Sequence, residues 1–270
     1  MNQEGVELRR QALAALAVCT PRDKCAAVWS IEAGAPLDTD GTLEPLPGLP
    51  GRPPQPELVP AASVPRRAMS TPEGRIALLH ALAHIEFNAI NLALDIIWRF
   101  PGMPAAFYLD WLKVAFEEAT HFDLLARRLN DLGAAYGDFP AHNGLWEMAE
   151  KTQDDLLARL ALVPRTLEAR GLDASPPIRR RLAQAGDHDS AAILDIILRD
   201  EVGHVAIGNH WYKWRCDQEG LDHVAAYETL AKRYRAPRLR GPFNLEARRA
   251  AGFNELELEA LQRMATDASG

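Results

Sequence analysis

Two short patterns in this chain combine residue types that rarely share a helix face without a reason. Glu118 and His121 lie three apart in "FEEATHF", and Glu201 and His204 lie three apart in "RDEVGHV". On a helix that spacing sets a carboxylate and an imidazole about 60° apart on one face, where both can bind the same cation. Spacing alone is a weak signal. Eight histidines and nineteen glutamates placed at random in this chain give about 0.6 such pairs. The surroundings strengthen it. At helical period, Glu118 falls among Trp111, Val114, Ala115, Phe122, Leu125 and Leu129, and Glu201 among Leu194, Ile197, Leu198, Val205, Gly208 and Tyr212. A third glutamate, Glu86, sits in the same way among Leu79, Leu82, Ile90, Ala93 and Ile97. A carboxylate buried without a partner is costly and either takes up a proton or finds a cation.

One glutamate from each of two helices plus Glu-x-x-His from each of two others is the donor set of a di-metal carboxylate centre in a helical bundle. Four carboxylates balance two divalent cations, and neutral imidazoles add no charge. Oxygen and nitrogen donors without thiolate suit iron or manganese better than structural zinc. The expected content is therefore two iron ions, with manganese or a mixed iron–manganese pair as variants. The remaining carboxylate must come from the third helix, where spacing leaves Glu147, Glu150 and Glu168 all open.

The elements that must position these groups follow from caps and breaks. "STPEGRIALLHALAHIEFNAINLALDIIWRFPG" opens on Ser70/Thr71 with Pro72 and Glu73 in the first turn, and stops at Pro101-Gly102. A second helix is predicted over about 104–132, a third over about 143–170 ending at Gly171, a short piece over 177–185, and a fourth from Asp187 to about 218. No strand-like alternation interrupts them. Residues 71–219 thus read as an all-α four-helix bundle. Before it, residues 1–70 hold an amphipathic helix over 5–18, a second short helix capped by Thr20 and Pro21, and a proline-rich extended arm over 34–65 that lies on the main domain. After it, residues 220–270 form a helical cap. It comprises a helix near 221–234, the loop "APRLRGPF", and short helices capped by Asn244 and Asn254.

Composition narrows the setting. The formal net charge of −7 argues against a large nucleic-acid footprint. No apolar run reads as long enough to span a bilayer, and the N-terminus is too acidic for a secretory signal. Cys19, Cys25 and Cys216 make no CxxC pair, which places the chain in a reducing compartment, the cytoplasm.

The runs "ALAHIEFNAINLALD", "FEEATHF", "RDEVGHVAIGNHWYKW", "VPRTLEARGLDASPP" and "GPFNLEARRAAGF" resemble the bacterial DUF455 family, a ferritin-like family without an assigned reaction. More distantly the chain is similar to ferritins and to tRNA-modifying di-iron hydroxylases. The resemblance covers most of the chain. It implies a ferritin-like bundle and Glu168 as the ligand from the third helix, completing the set Glu86, Glu118, His121, Glu168, Glu201 and His204. Glu117 and Asp200, each preceding a ligand glutamate, are candidates to hold a ligand histidine from behind, and Tyr212 is a candidate near the centre.

The expected function is oxygen-dependent oxidation of a substrate at a di-iron site, with dioxygen, a substrate and an electron-donor protein as partners. Two other readings stand beside it: iron oxidation and storage, and a non-enzymatic helical module with a structural Glu/His network. The loop Arg238–Asn244 is expected to fold back over the helix ends and shape access, or else to cover an apolar face.

Overall fold

The computed structural model describes residues 6–65 and 67–266. The outermost residues of the expected N- and C-terminal regions lie outside these. Among the described residues the protein is all-helical, with no strand and one isolated parallel bridge, Leu58 to Ala141. The chain divides into two compact units, Met1–Trp146 and Glu147–Gly270.

The first unit is built on two long helices, α3 (Pro72–Arg99) and α4 (Ala105–Asp131). Thr71 caps α3 by accepting the Gly74 N–H at 3.0 Å. Only five residues separate the two helices, so they pack as neighbours running in opposite directions. Two shorter helices, α1 (Leu8–Ala17) and α2 (Pro21–Trp29), cover them, α1 on α3 and α2 on α4. Arg9, 1% exposed, is the joint. Its Nε and Nη2 donate to the carbonyls of Ile97 and Trp98 in the last turn of α3, where no helical N–H remains to serve them. Its Nη1 donates to the carbonyls of Asp38 and Gly41 in the proline-rich arm. The arm is further tied by Leu8 N–H to Pro36 O at 2.8 Å, Gly51 N–H to Leu16 O at 2.8 Å and Val59 N–H to Ala141 O at 2.8 Å. It lies on the unit through backbone hydrogen bonds, as a segment poor in N–H donors and apolar periodicity must.

By length and composition α3 could cross a membrane, with a mean hydropathy of 1.3 in its most apolar window. Of that window 72% is buried in the protein, so its apolar surface is used by the core. Asp95, fully buried on its side chain, is answered one turn on by Arg99 at 2.7 Å.

The second unit differs from expectation at its first helix. The expected 143–170 element is broken. α5 (Gly144–Lys151), which carries the change from one unit to the next, ends before α6 (Leu156–Leu162), which Asp155 caps. The chain then widens into a π-helical turn, Val163–Glu168, and continues as α7 (Ala169–Gln184). Pro164 explains the widening. It has no N–H for the α-helical ladder, and its own carbonyl accepts from Ala169 five residues on. α7 runs through Gly171 and through Pro176-Pro177 to Gln184, so the separate piece expected over 177–185 is its second half. Pro176 leaves the Leu172 carbonyl without its helical donor, and Asn244 Nδ2 supplies one at 3.2 Å.

After a three-residue turn, α8 (His188–Glu219) packs along α7, capped by Asp187 and stopped by Gly220 at φ 66°. Gly208 permits the close approach: a Cβ there would meet Pro164 Cβ at 2.5 Å. α9 (His223–Arg233), α10 (Leu245–Ala250) and α11 (Glu255–Thr266) complete the unit. Asn254 and Glu257 cap α11 reciprocally, at 2.8 and 2.9 Å. Ala251, Phe253 and Leu258 of this tail share a buried cluster with Ala169 and Leu172 of α7 and Val205 of α8. Arg248, 1% exposed, grips Asp173 at 2.6 Å. The tail thus covers an apolar face of its own unit.

Candidate metal centre

In the first unit α3 carries Glu86 and α4 carries Glu118 and His121. All three are buried, at 4%, 1% and 0% exposure. His121 Nδ1 lies 3.4 Å from Glu86 Oε2 and 3.5 Å from Glu118 Oε2. One donor atom from each of the three falls within 4.8 Å of the others, so this buried group has the geometry to hold a metal ion. Phe87 and Phe122, the neighbours of Glu86 and His121, pack against each other with centroids 5.4 Å apart, and Tyr136 closes on both.

The electrostatics show the cost of this arrangement without a cation. Burial first, and then the charge of Glu118, push Glu86 well above the usual carboxylate range. Burial alone would lower His121, but the two carboxylates outweigh it and lift the imidazole to about 11. In metal-free protein a proton therefore does the work of a cation. His121 holds that proton more tightly folded than unfolded, so its stabilisation is fully present below pH 6.5 and is lost as pH rises through about 11. Glu86, also raised, acts in the same direction above its unfolded value. Chelator-treated protein should accordingly lose about 1.4 kcal/mol per pH unit for each retained proton across this window, read as a melting temperature falling about 3–6 °C per unit. A flat profile from pH 6.5 to 9.5 would refute the pairing.

In the second unit Glu201 and His204 lie on α8, 9% and 0% exposed, with His204 Nδ1 3.5 Å from Glu201 Oε1. Glu168 closes the π-helical turn, and its Oε2 is shielded from solvent. Gly171, three residues on and on the same side, faces Glu201: a Cβ there would stand 4.0 Å from Glu201 Oε2. Glu147 and Glu150 are exposed. The π turn and its close packing at Gly208 carry the site but were not read from sequence. Pro164 inside a helical run and a glycine within the apolar stripe of α8 were the available signals.

Glu117 pairs with Lys113 on its own helix at 2.7 Å, and Asp200 with its neighbour Arg199 at 2.8 Å. Tyr212, fully buried, donates its hydroxyl to the His223 carbonyl at 2.7 Å and carries the Arg165 guanidinium 4.6 Å above its ring. His80 and His84 serve the loop after α4. His80 Nε2 accepts the Gly137 N–H at 2.9 Å. His84 Nε2 donates to the His142 carbonyl at 3.2 Å, and its Nδ1 accepts from Tyr136 at 2.9 Å. Burial lowers both histidines to about 4, which keeps them neutral. Cys19 is exposed, Cys25 and Cys216 are buried, and none forms a disulfide.

Residues 17–259 match the family described as "Protein of unknown function (DUF455)". A protein of Haemophilus influenzae, described as "Uncharacterized protein", is 46% identical over 264 residues, covering 93% of this chain and 92% of its own length. No solved structure matches.

Proposed function

The chain belongs to the DUF455 family of proteins of unknown function, and we propose that it is a di-iron carboxylate protein that uses dioxygen to oxidise a substrate. The observation that carries this reading is the buried group Glu86, Glu118 and His121, two carboxylates and an imidazole close enough to share an ion. Its donors fit iron or manganese: oxygen and nitrogen, no thiolate. The second unit repeats the chemistry with Glu168, Glu201 and His204. We assign all six as ligands, two irons to one chain.

Iron in such a carboxylate set supplies the redox chemistry that activates dioxygen. The chain's own residues set the conditions. Glu86 and Glu118 hold positive charge that would otherwise have to be a proton. His121 would hold the ion as the neutral imidazole, giving up the proton it carries in metal-free protein. Phe87, Phe122 and Leu125 keep bulk water from the carboxylates, which strengthens each electrostatic contact. Reducing equivalents come from a donor protein, and the reducing cytoplasm is the fitting compartment.

The structural-network reading draws on one observation: His121 lies between two carboxylates, and protons held by His121 and Glu86 together compensate the buried charge without metal. One experiment separates the two. Protein purified without oxygen is analysed for metals and then exposed to air under an optical spectrometer. The di-iron reading expects about two irons per chain and a new near-ultraviolet absorption on oxygenation. A fully folded preparation without metal would replace it with the structural network.

A further inference from the structure

The second unit contains a cavity that none of the metal chemistry uses. It is small, about 20 Å³ and partly open, with room for one water-sized group or the head of a small ligand. Arg165, Arg248, Leu239, Phe253, Glu257 and Met264 are among the residues that line it. Two guanidinium groups on such a wall are unusual because both are buried, Arg165 at 4% and Arg248 at 1% exposure.

Their donors are incompletely used. Arg165 gives Nη1 to Asn209 Oδ1 at 3.0 Å and Nη2 to Glu257 Oε1 at 2.8 Å. Its Nε–H, shielded from solvent, meets no acceptor among the described residues. Arg248 gives Nε and Nη2 to Asp173, and Nη2 also to the Ala169 carbonyl. A guanidinium has five N–H donors, so both groups keep capacity. Both also sit on one ring: the Phe253 centroid is 4.7 Å from Arg165 Cζ and 5.4 Å from Arg248 Cζ.

The charges around this ring do not cancel. Arg165, Arg248 and Lys213 bring three positive charges. Glu257, shared by Arg165 and Lys213, and Asp173, held by Arg248, bring two negative ones. One positive charge is left over in this group, at its partly exposed edge, where Lys213 is 23% exposed on its side chain. The rest of the wall, Leu239, Phe253 and Met264, is apolar.

We propose that this cavity binds a small free carboxylate, its oxygens held by the Arg165 and Arg248 guanidiniums and its aliphatic end against Leu239 and Met264. A monoanion cancels the excess charge, whereas a phosphate dianion overshoots it. The inference is independent of the metal reading, because none of the six proposed ligands lines the cavity.

The test uses full-length protein and sodium acetate as the probe, with sodium phosphate and sodium chloride at equal ionic strength as controls. Acetate should raise the melting temperature saturably, with a dissociation constant on the order of millimolar, and the controls should not. Two variants keep the test decisive. Leu239→Trp fills the mouth and leaves both arginines in place; Arg165→Lys keeps the charge but removes the planar fork of donors. Each should weaken acetate binding about tenfold or more while the protein stays folded. No saturable effect on the wild type, an equal effect of the controls, or undiminished binding by a folded Leu239→Trp protein would overturn the proposal.

Discussion

Replacing Glu118 and Glu201 together by alanine should take bound iron from about two per chain to near zero, because each loss removes a first-contact carboxylate. The effect is expected to be this large because the donors in each unit are few and buried. In the first unit only Glu86 and His121 would remain of the observed group, and in the second the i, i+3 partner of His204 would be gone. A shortened side chain cannot be replaced by water in so dry a setting without leaving imidazole and carboxylate poorly served. The fold should survive, and by one measure improve. Burial would still raise Glu86, but removing Glu118 deletes the charge that adds to that rise and that helps His121 hold its proton, so metal-free variant should show a shallower loss of stability toward alkaline pH than metal-free wild type. Elemental analysis and melting curves at two pH values check both halves. A folded double variant that still holds two irons would place the metal elsewhere.

Truncation after Tyr234 should unfold the second unit rather than alter access to a site. The residues removed include Arg248, Ala251, Phe253, Leu258 and Leu261, all buried. Burying one large apolar side chain is worth about 1.5–3 kcal/mol, and the exposed partners would be Ala169, Leu172 and Val205. Two further losses add to this. Arg165 would lose Glu257, and breaking one side of a buried pair costs about 3–5 kcal/mol. The Leu172 carbonyl would lose Asn244, the donor that stands in for the one Pro176 lacks. Thermal melting and gel filtration of the truncated chain should show loss of a cooperative transition and self-association. A stable, monodisperse, iron-loaded truncation with altered oxygen reactivity would instead restore a gating role for the Arg238–Asn244 loop.

The long helices were legible because their signals are local: Thr71 before Pro72, Asp187 before α8, Gly220 after it, and apolar residues recurring at the helical period. The same periodicity exposed Glu86, Glu118 and Glu201 as carboxylates on apolar faces, and all three are buried. Glu-x-x-His is likewise local chemistry, readable from spacing.

What sequence could not decide depended on partners far along the chain. Gly171 read as a helix end and Pro176-Pro177 as the break before a separate short piece, yet α7 continues through them, and an amide from Asn244 serves the Leu172 carbonyl from 72 residues away. Glu168 read as lying near that end. It lies instead inside a continuous α–π–α run, at a turn widened by Pro164 and packed against Gly208. The proline-rich arm carried no periodicity; Arg9, donating to the arm and to the last turn of α3, and the backbone bonds of Leu8, Gly51 and Val59 fix where it lies. Period and capping are properties of neighbouring residues and survive in a string of letters. Which carbonyl lacks a donor, and which distant side chain supplies it, exists only once the chain has folded.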